Sequence, residues 1–527
     1  MDNTRSVYGI DLGTTYSCIA QVDKFDQAIV LRNFEGDATT PSAVYFEDMD
    51  HVVVGKEAKG MLATEPTKTA VFIKRHIGVD DSFDKNTNEF PYHYDPTEIS
   101  AFILKKLVKD ANDLGDNPEP IKDVVITCPA YFGTKERMQT KQAGEIAGLN
   151  VLSIINEPTA AAISYGVKTD QKKTVLVYDL GGGTFDVTLI NVNGGAIKVI
   201  ATGGDHHLGG VDWDTALAEY MLAAFNEQNN TSYSFEDRLD LKYELLLLAE
   251  DKKKVLTAKQ TAKATYQYEG NSARIEISRE LFNSLTERKL DETIDATKKV
   301  IAKEKGYNNI DEILLVGGSS RMPQIKERVD KEFNCDAKLT DPDECVAKGA
   351  AIYAMNAAYS QAVRDYEEGE SDDKPAPLRG DRTTVVNVTS KTYGTDVIIE
   401  GQSMVQNLIF ANSSLPTKRI ETFTTSIPNQ RGVSVKVFES DFTNMETESI
   451  VEERFCTLID DHTLKLSKDW PQGTQISVTY QIDQEGILHG LAYVENDKLE
   501  FDLKITGVKC EEELRKSKAI IDKASVE

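Results

Sequence analysis

The spacing of apolar residues divides the chain into three regimes. Up to about residue 362, short apolar runs bounded by turn residues alternate with longer stretches of helical period. The runs at 7–10, 123–128, 174–179 and 312–317 read as strands. The stretches 97–111, 134–147, 237–257, 278–304 and 344–360 read as helices. That alternation predicts an α/β domain over 1–362. The pattern then lapses. Residues 365–382 carry seven acids against three bases, with Pro375 and Pro377, and read as part of a solvated linker over 363–387. After it the period becomes two. Val433, Val435 and Val437 alternate with Ser434 and Lys436, Ile476, Val478, Tyr480 and Ile482 with polar partners, and Leu499, Phe501, Leu503 and Ile505 likewise. This predicts an antiparallel β-sandwich over 388–508. Residues 509–527 read as one short charged helix.

Composition narrows what such a chain can do. Its 527 residues exceed one hydrophobic core, so several domains are expected. Acids outnumber bases 86 to 60, for a formal charge of −26. That balance argues against nucleic acid or an acidic membrane as partner. No apolar run is long enough to span a bilayer, and the N-terminus lacks a signal core, so a cytoplasmic location is expected. The six cysteines show no metal-ligand spacing, in keeping with a reducing compartment.

Internal similarity is the most informative signal. VYGIDLGTTYSCIAQV (7–22) resembles VLVYDLGGGTFDVTLI (175–190). Each is an apolar strand, then Asp-Leu-Gly, a Thr, an aromatic and a second strand. One such turn alone reads as a tight hairpin carrying an acid. Two predict a duplicated domain with a cleft between the halves. Glycines let backbone N–H groups approach phosphate oxygens, and threonine hydroxyls add donors. Asp11 and Asp179, at strand ends, could hold a hydrated Mg²⁺ or position water. No GxxxxGK[ST] and no strand-linked GxGxxG occurs, so neither a P-loop nor a Rossmann site is supported.

Other residues fit around these turns. Gly317, Gly318, Ser319, Ser320 and Arg321 follow a strand, where close backbone approach suits a ribose or base. Glu250, Lys253, Lys254 and Thr257 fall on one helical stripe that could face an adenosine. Lys74 could stabilise charge at a γ-phosphate. Glu157, ahead of Pro158 at a helix start, could join the metal-water shell.

Together these segments resemble the seventy-kilodalton heat-shock chaperones. GIDLGTTYS, KRHIG, NEPTAAAISYG, DLGGGTFDVTL, GGDHHLGGVDWD, ILLVGGSSRMP and DPDECVAKGAA look like that family's motifs, in its order, over 6–362. The stretches 412–425, 429–440 and 476–492 look like its peptide-binding domain. The resemblance implies a duplicated actin-like (ribonuclease H-like) ATPase domain followed by an antiparallel β-sandwich. It implies ATP or ADP with Mg²⁺ as ligands. Gly13, Thr14, Thr15, Tyr16, Gly181, Gly182, Gly183 and Thr184 would bind phosphate, with Gly209 and Gly210 close by. Asp11, Glu157 and Asp179 would organise Mg²⁺, mainly through water. Lys74 would be catalytic, with Thr184 and Asp186 near the attacking water. Glu250, Lys253, Lys254, Thr257, Gly317, Gly318, Ser319, Arg321 and Asp343 would hold the nucleoside. Pro129 and Arg137 would relay the nucleotide state. Ile398, Phe423, Ser426, Val433, Val435, Ile476 and Ile487 would face an extended hydrophobic peptide or unfolded protein. By their pattern alone, these last residues read as sandwich core.

The chain departs from the family at several positions. Ser153 stands where the family has an arginine that receives a J-domain co-chaperone. Residues Thr383, Thr384, Val385, Val386 and Asn387 replace a leucine-rich linker closed by an acid. Both departures weigh against J-domain stimulation and against the usual docking of the linker. Lys254 replaces an arginine that stacks on adenine. The resemblance implies that this sequence carries only the first turns of the family's helical lid, as a lid-less paralogue or a truncated form would. Expected partners are extended peptides and a nucleotide-exchange factor. The alternatives are a nucleotide-gated scaffold and a small-molecule kinase of the same fold.

Overall fold

Two mixed sheets of matching design carry the first part of the chain. The structure, a computed structural model, describes residues 6–79, 94–115, 119–166, 172–193, 196–303, 310–368, 384–443, 445, 447–495, 497–502 and 508–527. In the first sheet, strand Val7–Asp11 pairs antiparallel with Tyr16–Val22 and parallel with Asp123–Cys128. In the second, Lys173–Leu180 pairs antiparallel with Phe185–Asn193 and parallel with Glu312–Val316. The two hairpins match in register as well as sequence: Asp11 lies opposite Cys18, and Asp179 opposite Asp186. Duplication inferred from the repeated motif is therefore present in the topology. Central strands such as Asp123–Cys128 are buried on both faces, which is why they read as continuous apolar runs.

Each sheet has its own core. Tyr8, Ile10, Phe46, Phe102 and Ile126 belong to the first lobe. Tyr178, Phe185, Trp213, Phe225 and Ile294 belong to the second. Helices Glu157–Gly166 and Cys345–Glu367 pack between the lobes, in a cluster that includes Val125, Ala160, Val177 and Ala350. They cross tightly at Gly349, where a Cβ would stand 1.7 Å from the Ala160 carbonyl oxygen. The helix expected over 97–111 spans Pro96–Leu114. Asp95 caps it, accepting from the Glu98 amide at 3.0 Å, while Glu98 accepts from the Asp95 amide.

Residues 388–502 form two antiparallel sheets with Tyr393, Val437, Leu464, Trp470, Val478, Tyr480 and Leu488 between them. Ile476, Val478, Tyr480 and Ile482 face inward, as the alternation predicted. Tyr480 keeps a polar outlet, donating to the carbonyls of Gly394 (3.4 Å) and Lys436 (3.2 Å). Leu503 and Ile505 lie outside the described residues, as does linker segment 369–383 with Thr383.

The linker expectation needs correcting. Strand Thr384–Val386 pairs in parallel with Ala196–Lys198 at the edge of the second sheet. Main-chain pairing depends little on side-chain identity. Val385 also packs on the interlobe cluster beside Val388, so a less apolar linker still docks. The buried Asn387 Oδ1 has no hydrogen-bond partner among the described residues.

The C-terminal helix spans Glu511–Lys523 and runs into a strand, Ser525–Val526, that the sequence did not suggest. This strand pairs in parallel with His51–Val54. Ile521, Ala524 and Val526 are buried in the first-lobe core. Lys105 donates to the carbonyls of Ile521 (2.6 Å) and Ala524 (3.3 Å), and Lys109 to that of Val526 (2.9 Å). Cations at the last carbonyls of a helix satisfy groups that have no partner within it.

Candidate functional site

The two Asp-Leu-Gly turns face each other across the gap between the lobes. A Cβ on Gly182 would stand 1.9 Å from Thr15 Oγ1, and one on Gly183 would stand 2.2 Å from Thr14 Cγ2. Only glycine fits at either position. A cavity of about 460 Å³ opens beside them. Asp11, Gly13, Thr14, Thr15, Tyr16, Lys74, Glu157, Asp179, Gly181, Gly182, Thr184 and Gly210 line the end beside the two turns. Glu250, Lys253, Lys254, Thr257, Gly317, Gly318, Ser319, Arg321 and Asp343 line the rest. The fold thus gathers in one cavity nearly every residue singled out for nucleotide.

Four residues sit behind the lining, among them Ser320, whose buried hydroxyl donates to the Val316 carbonyl at 2.6 Å. Asp186 is buried and accepts from the Ala130 amide at 2.8 Å. Gly183 and Gly209 pack on each other, since a Cβ on Gly209 would meet the Gly183 carbonyl carbon at 2.4 Å.

Charge at the floor is concentrated and poorly solvated. Lys74 is buried and bonds Glu157. Burial disfavours its charge, but Glu157 and Asp11 outweigh that and raise its pKa above the ordinary lysine value. Asp11 is pushed up to about 7, first by burial and then by Glu157, against Lys74 and a 3.0 Å hydrogen bond from Thr127. Asp179 and Asp186 are raised well above the ordinary carboxylate range, first by burial and then by Glu157. Four carboxylates around one lysine form a site short of positive charge. A hydrated divalent cation fits that donor set. Among the described residues, no three His, Cys, Asp or Glu converge closely enough to hold a metal ion directly.

A second network closes the mouth. Glu250 accepts from Tyr16 OH at 3.1 Å, Lys59 at 2.5 Å and Lys254 at 2.8 Å. Burial works to raise its pKa, but the two lysines hold it down to about 2. Both ammonium groups also lie over the Tyr16 ring. Lys253 is paired with Asp214 Oδ2 at 2.7 Å and donates to the Gly210 carbonyl at 3.0 Å. Asp214 Oδ1 is buried with no partner among the described residues. Gly317 has φ +79°, a left-handed value suited to glycine, and a Cβ there would strike the Leu180 carbonyl oxygen at 2.4 Å. Lys59 and Asp214 escaped the sequence reading. Asp214 stood inside the quoted GGDHHLGGVDWD, whereas Lys59 lies in a short helix with no motif around it.

Pro129 and Arg137 lie on a route out of this floor. Asp186 holds the Ala130 amide next to Pro129. Arg137 bonds the side chain of Asn156, which precedes Glu157. Its other nitrogens reach the carbonyls of Phe132 (3.0 Å) and of Glu485 in the β-region (3.4 Å). Lys141–Glu485 (3.2 Å) and Ser390–Phe132 (2.7 Å) add contacts across the same boundary.

The seven candidate peptide positions are dispersed. Val435 and Ile476 are buried in the sandwich core, as their bare pattern suggested. Phe423 and Val433 are half-buried at its margin, and Ile398 and Ser426 are exposed. Ile487 ends a turn whose Gly486 lies against Arg137. Ser153 is buried beside Tyr353.

A family model described as "Hsp70 protein" matches residues 7–525. "Chaperone protein DnaK" of Thermosipho melanesiensis is 38% identical over 494 residues, covering 92% of this chain and 77% of the relative. The protein of that name in Thermotoga neapolitana is 37% identical over 513 residues, covering 95% and 80%. That of Halobacterium salinarum is 36% identical over 497 residues, covering 92% and 72%.

Proposed function

The chain belongs to the Hsp70 family, and we propose that it is an ATP-dependent chaperone whose nucleotide cleft governs the binding of extended hydrophobic polypeptide by its β-sandwich. One observation carries the reading: the turns meet at Gly182 and Thr15 over a cavity floored by Lys74 and Glu157. Residues 1–362 form the ATPase domain, 363–387 an acidic linker whose last residues pair with that domain's second sheet, 388–508 the peptide-binding domain and 509–527 a short C-terminal helix with a strand on the first lobe.

ATP lies along the cavity with its phosphates between the two turns. Gly13, Thr14, Thr15, Tyr16, Gly181, Gly182 and Thr184 supply donors to the phosphates. Glu250, Lys253, Lys254, Thr257, Gly317, Gly318, Ser319, Arg321 and Asp343 enclose the nucleoside. When bound, Mg²⁺ neutralises phosphate charge, held through water by Asp11, Glu157 and Asp179. Lys74 stays protonated beside Glu157 and stabilises charge that develops on the transferred phosphoryl group. Asp186 positions the backbone at Ala130, and through Pro129 and Arg137 the state of the floor reaches the 483–487 turn of the β-domain. Exposed Ile398 and half-buried Phe423 and Val433 are the best placed of the candidate positions to meet peptide.

Replacing Lys74 with Ala tests this function. Hydrolysis of ATP should stop while ATP binding persists, and ATP should still speed release of a bound hydrophobic peptide. Turnover that survives in Lys74→Ala, or a peptide off-rate indifferent to nucleotide, would sink the proposal. Nothing in the comparisons favours a kinase or a dedicated scaffold. Phosphate release with no phosphorylated acceptor would exclude the kinase directly. A cytoplasmic location and a nucleotide-exchange factor belong to the same proposal. No helix among the described residues is long and apolar enough to cross a membrane.

A further inference from the structure

Arg75 follows Lys74 in sequence but serves the opposite lobe. Its Nε donates to the Gly183 carbonyl at 2.7 Å, and its Nη2 bonds Asp212 Oδ2 at 2.6 Å. Ile73 and Ile77, which flank it, are buried in the first-lobe core. Gly183 and Asp212 belong to the second lobe, so the guanidinium bridges the gap between the lobes. The side chain is only 15% exposed, and it does not line the nucleotide cavity.

Its two acceptors belong to one structure. Asp212 lies in the first turn of helix Gly210–Asn229, and its Oδ2 also accepts from the Gly209 amide at 2.8 Å. That helix start grips the second phosphate turn from behind. The Gly210 amide donates to the Gly181 carbonyl at 3.0 Å, and the Val211 amide to the Gly182 carbonyl at 2.7 Å. Arg75 takes the next carbonyl, Gly183. Three successive carbonyls of the turn are therefore tied down, two from within the lobe and the third from across the gap.

This arrangement has a stereochemical consequence. In a planar trans peptide, the N–H points opposite to the preceding C=O. Tying down the carbonyls of 181, 182 and 183 turns the amides of Gly182, Gly183 and Thr184 the other way. Gly182 and Thr184 line the cavity. The Thr184 amide is the one whose orientation depends on a residue of the other lobe. The chain before Arg75 is also shaped for the task. Phe72 holds φ 58°, a left-handed value seldom adopted by a bulky residue, and the short helix Ile73–His76 starts from it. The next two bases then diverge, Lys74 to Glu157 and Arg75 to the second lobe.

We propose that Arg75 is a positioning residue for phosphoryl transfer: it fixes the last amide of the second phosphate turn toward the terminal phosphate of a nucleoside triphosphate, and does so only when the lobes are closed. The proposal rests on the ATPase reading above. Arg75 lies outside the cavity lining, so it acts on the rate of hydrolysis rather than on retention of nucleotide. Its planar fork meets two acceptors at once, which a lysine ammonium on a shorter reach does not reproduce.

The test compares single-turnover hydrolysis with equilibrium binding of ATP and ADP in the full chain and in Arg75→Ala, Arg75→Lys and Asp212→Asn. Arg75→Ala should slow hydrolysis by about 10- to 100-fold, as small misplacements of a catalytic group do. Its affinity for both nucleotides should stay within about threefold of the parent. Arg75→Lys should recover little of the rate, and millimolar guanidinium should restore part of it to Arg75→Ala but none to Lys74→Ala. The Arg75→Ala and Asp212→Asn losses should combine to less than their sum, as for groups in one network. Hydrolysis within about twofold of the parent in Arg75→Ala would overturn the assignment. So would a loss of nucleotide affinity equal to the loss of rate, or full recovery by lysine. If the parent itself fails to hydrolyse ATP, the ATPase reading falls and this assignment falls with it.

Discussion

Gly182 and Thr15 lie so close that a single added carbon on the glycine would stand 1.9 Å from the threonine hydroxyl. They come from different lobes and from the two copies of one sequence motif. Their contact marks how far the cleft has closed. Gly182→Ala should hold the turns apart, weaken ATP binding by at least about tenfold and remove hydrolysis, since about 1.4 kcal/mol is one decade of affinity. Titration with a fluorescent ATP analogue reads it. Unchanged affinity would mean that the turns do not close on phosphate.

Lys59 on the first lobe and Glu250 on the second meet at 2.5 Å, with side chains 21% and 18% exposed. A half-buried pair of this kind should slow the opening of the cleft. Lys59→Ala should raise the ADP dissociation rate by roughly 3- to 10-fold, equivalent to about 1 kcal/mol. Stopped-flow release of labelled ADP measures it, and an unaltered rate would assign the opening barrier elsewhere.

The contact between the ATPase lobes and the β-domain carries two titrating groups of opposite sense. Glu439 is pushed up from 4.5 to about 7, first by burial and then by Glu136 across the boundary, against Lys391 and Tyr393. The docked state holds this proton more tightly, so its stabilisation is complete below 4.5 and is lost as pH rises through 7. His206 is pushed down from 6.5 to about 4, first by burial and then by Lys391 and His207. The docked state keeps it neutral, so its stabilisation is complete above 6.5 and is lost as pH falls through 4. The two slopes oppose each other over most of that range. The parent contact should therefore vary little between those limits. Glu439→Gln should make docking labile to acid, and His206→Phe should make it labile toward neutral pH. Energy transfer between dyes on the two domains, followed against pH, tests this. The same profile for the parent and both variants would contradict it.

Residues 525–527 complete a sheet edge. The Val54 amide donates to the Glu527 carbonyl at 2.8 Å, and the Glu527 amide to that of Val52 at 2.9 Å. Removing 525–527 should deprotect Val54 in hydrogen exchange while leaving Val44, within the sheet, protected. Ile521 is fully buried, so Ile521→Ala should cost about 2–4 kcal/mol in urea denaturation. Exchange at Val54 indifferent to the truncation would show that the strand does not persist in solution.

Much of the fold was legible because each signal was local. Strand Asp123–Cys128 and helix Leu239–Ala258 announce themselves by period and by length. The repeated Asp-Leu-Gly turns pointed to two half-sites, and all but Gly183, Gly209, Asp186 and Ser320 of the residues singled out for nucleotide line the cavity. Those four sit behind it, because residue type says which groups can serve a nucleotide but not how deep in the fold they lie. Lys59 was invisible, since one lysine in a six-residue helix has no pattern. The peptide positions were ambiguous for a related reason. Alternation marks Val435 and Ile476 as inward-facing, and inward here is the core.

By itself, then, the sequence determined the periods, the approximate extent of the strands and helices it named and the existence of two matched Asp-Leu-Gly turns, all of which are properties of neighbouring residues. Tertiary structure alone decided that Gly182 meets Thr15, that Arg75 reaches past its own lobe to Gly183, that a poorly apolar linker still pairs with the second sheet, and that the tail adds a strand beside His51–Val54. Each of these joins segments far apart in the chain through backbone groups or single side chains. Such contacts follow from how whole elements pack, and no local period encodes them.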